Sequence, residues 1–280
     1  MIWIITSLLF WVVAIAINVH LVRHKVPGAS FLVPIIFGVT ILVLWEGMVR
    51  GFNISPVLLP PPSAVGVALV SKTDILLQDL VQTFFKGALT GYAMGCGSAI
   101  LIAIAIDRSA FLQRGLLPVG NFIAALPIVG LAPIMVMWFG FDWHSKAAVV
   151  VAMVFFPVLV NTVQGLQATD HMQRDLMRTY AAGYVPTLLK LRLPAAMPFI
   201  FNGLKIATTL ALIGAIVAEF FGSPIKGMGF RISTEVGRLS LDMVWAEITV
   251  AAILGSGFYG LVALLEKRMT FWHPSQRKTR

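Results

Sequence analysis

Charged residues are scarce in this sequence. Only 12% of its 280 residues are Asp, Glu, Lys or Arg, whereas 58% are hydrophobic and the mean hydropathy is +0.89. A soluble globular domain carries about twice that share of charge. The composition therefore excludes an ordinary soluble domain and indicates a membrane protein. Low-complexity tracts and polar linkers are also missing, so the sequence shows no boundary to a second, soluble domain.

Several chemical signatures are missing as well. The single cysteine, Cys96, excludes an internal disulfide and lies among small residues, so we expect it to serve packing. The five histidines are scattered and do not have the spacing of metal ligands. No phosphate-binding loop, H-E-x-x-H pair or G-x-S-x-G elbow occurs. We therefore expect no enzymatic activity, no cofactor and no metal site within this polypeptide.

Long apolar runs are what the sequence does contain. A helix needs roughly 20 apolar residues to cross a hydrocarbon core of about 30 Å. Nothing resembles the alternating ten-residue strands of a membrane barrel. The first run is followed rather than preceded by its basic residues, which favours a retained helix over a signal peptide. We predict an all-α polytopic membrane protein with spans near residues 2–22, 31–49, 82–106, 116–139, 147–167, 196–221 and 245–265.

The net charge of +9 follows membrane topology rather than nucleic-acid binding. If residues 169–192 are cytoplasmic, the segments on that side hold 13 Lys and Arg, and those on the opposite side hold six. The positive-inside rule then places the N-terminus outside and the C-terminus in the cytoplasm. That count assigns Lys146 to an outer turn. It leaves Lys86 and Lys205 within helices, and we expect Lys205 to reach the inner interface.

Residues 169–192 form a charged interruption that nevertheless keeps apolar side chains. The charged residues are Asp170, Arg174, Asp175, Arg178, Lys190 and Arg192, and the apolar ones include Leu176, Met177 and Tyr180. This mixture predicts a short amphipathic helix that docks on another protein. We expect Pro186 to separate the docking turn from the next helix.

Other local patterns leave two interpretations open. Gly87, Gly91 and Gly95 recur every four residues, which suits helix packing within the chain or at a subunit interface. The prolines of the 116–139 run suit a broken helix near a transport path or simple kinking. Glu219, near the outer end of its helix, is a candidate contact for an outside protein or a gate.

The interruption resembles the cytoplasmic coupling loop of bacterial ABC importer permeases, whose pattern is E-A-A-x3-G-x9-I-x-L-P. With Leu193 and Pro194 aligned on the closing pair, Asp175 takes the glutamate position, Ala181 the glycine and Leu191 the isoleucine. Leu176 and Met177 stand at the two alanines, and Gly183 follows two places after the glycine position. The matched residues are Asp175, Leu176, Met177, Arg178, Thr179, Tyr180, Ala181, Ala182, Gly183, Leu191, Leu193 and Pro194.

The resemblance extends over about residues 31–273. Residues 193–198, 203–205, 218–219 and 227–229 are similar to nitrate/sulfonate/taurine-type permeases. The turn at 58–63 and the ending at 265–268 are closer to the branch for pyrimidine vitamin precursors and riboflavin.

The resemblance implies a type I importer core of six helices at 31–273, with the coupling loop at 168–194. An extra N-terminal transmembrane helix and basic loop would occupy 1–30, and a basic cytoplasmic tail 274–280. It also implies an inner-membrane location, cytoplasmic ATPase subunits, an extracytoplasmic substrate-binding protein and a second permease copy. Of possible solutes, a pyrimidine precursor or riboflavin is favoured. An alkanesulfonate or taurine comes next, and then nitrate or bicarbonate.

Two other function classes remain open on the sequence. An ion-coupled secondary carrier would work without an ATPase, although the apolar runs show no chain of carboxylates for proton transfer. A non-transporting membrane scaffold is the second. Association with an ATPase, and uptake that follows ATP rather than an ion gradient, would separate these classes from an ABC permease.

Overall fold

A computed structural model describes residues 2–24, 26–109, 115 and 127–272. All regular secondary structure in this part of the chain is helical. The helices are α1 (Ile2–Arg23), α2 (Ala29–Gly51), α3 (Pro62–Ser71), α4 (Thr73–Asp107), α5 (Ile128–Phe139), α6 (Trp143–Gln167), α7 (His171–Thr179), α8 (Tyr184–Phe221), α9 (Met228–Gly237) and α10 (Leu241–Met269).

Within the described residues, six helices are long and apolar enough to cross a bilayer: α1, α2, α4, α6, α8 and α10. They confirm six of the seven predicted spans and the all-α membrane fold. The predicted span 116–139 falls partly on residues 116–126, which lie outside the described residues. Its remainder is α5, which has 12 residues and is too short to span alone. The seventh span therefore stays a prediction.

Two predicted helix starts were wrong. The helix expected at 82–106 begins at Thr73, and the one expected at 196–221 begins at Tyr184. Both contain a π-helical stretch, Val81–Leu89 in α4 and Leu188–Arg192 in α8. Pro186 does not separate the docking turn from the helix. It lies in the first turn of α8, where backbone N–H groups have no partner within the helix.

The chain divides into two compact units. The first comprises Met1–Leu76 and Ile232–Thr249. In it α1 and α2 approach closely because Gly47 leaves room for the Ser7 side chain. The proline-rich turn before α3 is fixed by Glu46, whose carboxylate accepts hydrogen bonds from the Ser63 N–H (2.9 Å) and hydroxyl (2.8 Å).

The second unit comprises Leu77–Arg231 and Val250–Arg280. Its core is built by α4, α6 and α8 around Val150, Val154 and Val158, which are fully buried. A Cβ atom on Gly91 would approach Val150, and one on Gly95 would lie 2.5 Å from Val154. These glycines therefore serve packing within the chain, as the first of the two interpretations held. Cys96 is buried, which agrees with the expected packing role.

Candidate functional site

The predicted docking helix exists as α7, between the end of α6 and the start of α8. Asp170 caps it: its carboxylate accepts a hydrogen bond from the His171 N–H at 2.6 Å, and Gln173 accepts one from the Asp170 N–H at 3.2 Å. This capping box satisfies N–H groups that would otherwise lack acceptors at the start of a short helix. Arg174 ties α7 back to the preceding segment through the Thr169 hydroxyl (2.9 Å) and the Gln167 carbonyl (3.0 Å).

One face of α7, continued by the residue after it, is apolar, whereas the rest of the helix surface is polar or charged. Met172, Leu176 and Tyr180 follow one another at four-residue spacing and are 78%, 56% and 76% exposed. No residue of α7 is buried. Four-residue spacing places these side chains on one face of the helix, so they form a continuous apolar stripe. Such a stripe on a capped helix is suited to insertion into a groove on another protein.

The turn after α7 has a strained residue. Ala181 has a φ of +51°, in the left-handed region that favours glycine. Its N–H donates to the Arg178 carbonyl (2.9 Å), and the Ala182 N–H donates to the Met177 carbonyl (3.0 Å). Ala181 is also the residue that aligns with the glycine of the permease pattern in the sequence analysis. Gly183 has an ordinary φ of −70°, so the need for glycine lies at residue 181.

A buried ion pair fastens the base of this segment to the helices beside it. The Arg192 guanidinium donates to both carboxylate oxygens of Asp107, at 2.5 and 2.6 Å, and to the Leu166 carbonyl at 3.0 Å. The Tyr184 hydroxyl donates to the same carboxylate at 3.2 Å. Asp107 ends α4 and Leu166 lies at the end of α6, so Arg192 links three helices at one point. We refer to Arg192, Asp107 and Tyr184 as the inner clamp.

The predicted coupling residues divide between two elements. Those from Asp175 to Ala182 lie in α7 and its turn, and Gly183 ends that turn. Leu191, Leu193 and Pro194 are partly buried in α8, next to Arg192. The sequence analysis did not predict the inner clamp, because Asp107 is 85 residues from Arg192 in the chain.

A second polar cluster lies at the other end of α8. The Glu219 carboxylate accepts hydrogen bonds from the Thr83 hydroxyl (2.9 Å) and the Gly229 N–H (2.8 Å). The Asp79 carboxylate accepts from the Gly227 N–H (2.6 Å) and from Arg231 (2.8 Å).

We refer to Asp79, Thr83 and Glu219 as the outer cradle. It holds the loop after α8 against α4. Glu219 is only 1% exposed, so its burial conflicts with the first of its two candidate roles, contact with an outside protein. Its role as a gate stays a prediction.

One lysine differs from expectation. Lys146 is not in an outer turn but buried in α6, where its ammonium donates to the Phe141 carbonyl at 2.5 Å. Lys205 forms an ion pair with Glu266 at 2.7 Å. Its reach to the inner interface stays a prediction. Among the described residues, no group of His, Cys, Asp or Glu is arranged to hold a metal ion.

Comparison with known proteins assigns the chain to a family. Residues 91–271 match the family model of the binding-protein-dependent transport system inner membrane component. This range contains α7, the inner clamp and the loop after α8. The chain is 30% identical over 247 residues to the formylaminopyrimidine transport permease protein ThiX of Halalkalibacterium halodurans, covering 87% of this chain and 96% of that protein.

Two further relatives agree. The chain is 31% identical over 229 residues to a probable ABC transporter permease protein of Haemophilus influenzae, covering 81% and 91% of the two chains. It is 29% identical over 265 residues to a putative aliphatic sulfonates transport permease protein, SsuC, of Bacillus subtilis, covering 92% and 94%.

Components of this family work with a substrate-binding protein, and a separate subunit hydrolyses the ATP. The rival classes, a secondary carrier and a scaffold, lose their support. The chain belongs to the binding-protein-dependent transport system inner membrane components, and it is the multi-pass permease subunit of an ABC importer.

Proposed function

We propose that residues 168–194 are the coupling loop on which a cytoplasmic ATPase acts to drive import of a small organic solute. The observation that carries this proposal is the exposed apolar stripe of α7, formed by Met172, Leu176 and Tyr180. An exposed stripe on an isolated helix of nine residues has no stabilising role in the monomer, because no α7 residue is buried. Burial in a groove of the ATPase would remove its apolar side chains from water.

The inner clamp supports transmission of movement from this loop. Because Arg192 is bonded to Asp107 at the end of α4 and to Leu166 near the end of α6, a displacement of α7 must move all three helices or break the clamp. Charge-assisted, two-point hydrogen bonds of this kind fix geometry as well as adding energy. The clamp therefore converts a push on the loop into a movement of the membrane helices.

A second copy of the chain would complete the path. On the α6–α8 surface, the Asn202 amide donates to Asn161 at 3.1 Å and remains exposed, as do Gln164 and Thr209. Polar side chains on the open face of a membrane helix require protein or water beside them, because lipid offers no hydrogen bonds. We propose that this face meets the translocation path of a homodimer.

The proposed topology has the N-terminus outside and the C-terminus in the cytoplasm. It rests on the excess of Lys and Arg on the side of α7, and it requires the seventh span at 116–139. In this arrangement 1–30 is an additional transmembrane helix and loop, 31–273 is the importer core, and 274–280 is a cytoplasmic tail.

The solute is proposed from relatives and motifs. A pyrimidine-type vitamin precursor or riboflavin is the first choice, because relatives named for formylaminopyrimidine and riboflavin transport cover most of the chain. An alkanesulfonate or taurine is the second, since relatives named for those solutes match over similar lengths.

Co-purification of the ATPase tests the coupling loop. We expect Tyr180→Glu and Arg178→Glu to abolish retention of the ATPase on the purified permease. Ile225→Glu is the matched control, because Ile225 is 76% exposed, like Tyr180, but lies in the loop at the opposite end of α8. Retention of the ATPase by both loop variants would contradict the docking role. Uptake in vesicles that follows an ion gradient and ignores ATP would contradict the transport mechanism.

A further inference from the structure

An open groove of about 320 Å³ lies beside the outer cradle, between α4 and the loop that follows α8. It is lined by Leu77, Gln78, Val81, Gln82, Lys86 and Lys226. Its polar part combines two amides and two ammonium groups, and its rim carries two apolar side chains. No carboxylate is among these lining residues.

Gln82 points to a ligand. The residue is 6% exposed, and its side-chain Nε2 is buried with no hydrogen-bond acceptor among the described atoms. A buried N–H donor left without an acceptor is costly, and native structures rarely keep one without a reason. An acceptor atom bound in the groove would satisfy it.

The two lysines give the groove a positive charge. In the described structure neither Lys86 nor Lys226 takes part in an ion pair, and the nearest cradle carboxylates are already engaged. Asp79 binds Gly227 and Arg231, and Glu219 binds Thr83 and Gly229. The uncompensated charge therefore attracts an anion.

The groove is built rather than incidental. Lys86 and Gln82 both lie on the π-helical stretch of α4, a distortion that is frequent at functional sites. Lys226 is held in place because the next residue, Gly227, donates its N–H to Asp79 at 2.6 Å. The cradle thus fixes the loop that supplies the second cation.

The depth of Lys86 suits an entrance. It lies 21 residues from Asp107 along α4, or about 31 Å of helix, which equals the thickness of the hydrocarbon core. That separation places Lys86 at the opposite membrane–water boundary from Asp107, where a solute in water can reach it.

We propose that this groove binds an anionic oxygen group of the transported solute, a sulfonate, carboxylate or phosphate, at the entrance to the path. The Gln82 amide and the ammonium groups of Lys86 and Lys226 donate to the anionic oxygens, and Leu77 and Val81 contact the organic part. The inference rests on the proposed importer function and sharpens its substrate class. A solute with a sulfonate fits this groove, whereas a neutral pyrimidine leaves both lysines unused, so the groove favours the second of the two proposed solute classes over the first.

Equilibrium binding of radiolabelled ethanesulfonate tests the groove. The probe is added to the complete importer, permease with its ATPase, in nanodiscs of phosphatidylcholine, with acetate and inorganic phosphate as competitors. We expect saturable binding that weakens about tenfold in Lys86→Gln and in Lys226→Gln, the loss typical of a hydrogen bond to a charged group. Gln82→Met should weaken it in the same direction. The matched control is Lys267→Gln, which removes an exposed lysine from the cytoplasmic end of α10.

Three results would overturn the inference. One is equal binding in the lysine variants and the control. Another is no saturable binding of any of the three anions to the unmodified complex. The third separates solute from lipid: if native mass spectrometry shows a phosphatidylglycerol retained by the unmodified complex and lost from Lys86→Gln, and that lipid blocks ethanesulfonate, the groove is a lipid site.

ATPase retention, measured on the same samples, distinguishes this failure from failure of the proposed function. If the permease retains the ATPase while one of these three results is obtained, only the proposed anion site in the groove is overturned, and the proposed importer function stands.

Discussion

Arg192 and Asp107 are joined by two hydrogen bonds of 2.5 and 2.6 Å, with the Asp107 side chain 3% exposed. A buried carboxylate of this kind depends on its partner, because an unpaired charge in the interior is strongly destabilising. The pair joins the start of α8, which follows α7, to the end of α4. If α7 is the proposed coupling helix, loss of the pair should affect coupling as well as stability.

We expect Arg192→Ala to lower the free energy of unfolding by about 3 kcal/mol and to reduce solute imported per ATP hydrolysed. Proteoliposome uptake and ATPase rate, measured together, check this. The exchange Asp107→Arg with Arg192→Asp should restore part of the coupling ratio. Arg178→Ala is the stability control, because the Arg178–Asp175 pair is exposed and should change stability by less than about 0.5 kcal/mol. An unchanged ratio in a folded Arg192→Ala protein would contradict a coupling role.

Ala181 gives a second prediction. Its φ of +51° raises the conformational free energy of the folded state by about 1 kcal/mol for a residue with a Cβ atom. Glycine at this position removes that strain. Ala181→Gly should therefore keep ATPase binding and raise the thermal unfolding midpoint slightly, whereas Ala181→Val should weaken both. Gly183→Ala is the control: no atom lies within 4 Å of the added Cβ, and its φ is ordinary. If Gly183→Ala disrupts the loop more than Ala181→Val, the assignment of the strained position is wrong.

The outer cradle gives a third prediction, on the stability of the loop after α8. A Cβ atom on Gly229 would overlap the Ile216 carbonyl, and one on Gly227, where φ is +122°, would overlap the Glu219 carboxylate. Either glycine-to-alanine change should lower the free energy of unfolding by about 2 kcal/mol or more. The reason is that the neighbouring backbone cannot move aside, so the hydrogen bonds of the outer cradle would break. Thermal unfolding in detergent measures the loss. Gly257→Ala, in α10 with open space around it, should leave the midpoint unchanged.

Topology gives a fourth prediction, for which the chain is well suited because its one cysteine is buried. Ile225→Cys and Tyr180→Cys place thiols at two sites of equal exposure, 76%, at opposite ends of α8. In intact spheroplasts a membrane-impermeant maleimide should label the first and not the second. The second should react only after permeabilisation. The reverse pattern would invert the proposed orientation.

The sequence predicted the helices better than the contacts between them. Apolar runs define spans because a helix must be apolar over the thickness of the hydrocarbon core. The short helix α7 was predictable from its mixture of charged and apolar residues, and its docking role stays a prediction. Helix starts were missed at Thr73 and Tyr184, since polar residues can continue a helix beyond the bilayer.

The polar clusters were less accessible to sequence reasoning. Thr83 and Glu219 are 136 residues apart, and Asp79 and Gly227 are 148 apart, so no local pattern reveals them. Lys146 was assigned to a turn because the apolar run was taken to begin at residue 147, whereas α6 begins at Trp143. The acceptor for its ammonium is a backbone carbonyl, which no sequence pattern reveals.

The unbroken course of α8 has a mechanical consequence. With 38 residues it is about 57 Å long, nearly twice the thickness of the hydrocarbon core. Arg192 and Glu219 sit near its two ends, so one rod carries both fastenings. If an ATPase acts on the loop before α8, as proposed, tilting the helix there about a fixed point displaces its other end in the opposite sense. A spin label at Ile225, four residues beyond that end, would then report nucleotide occupancy across the whole width of the bilayer.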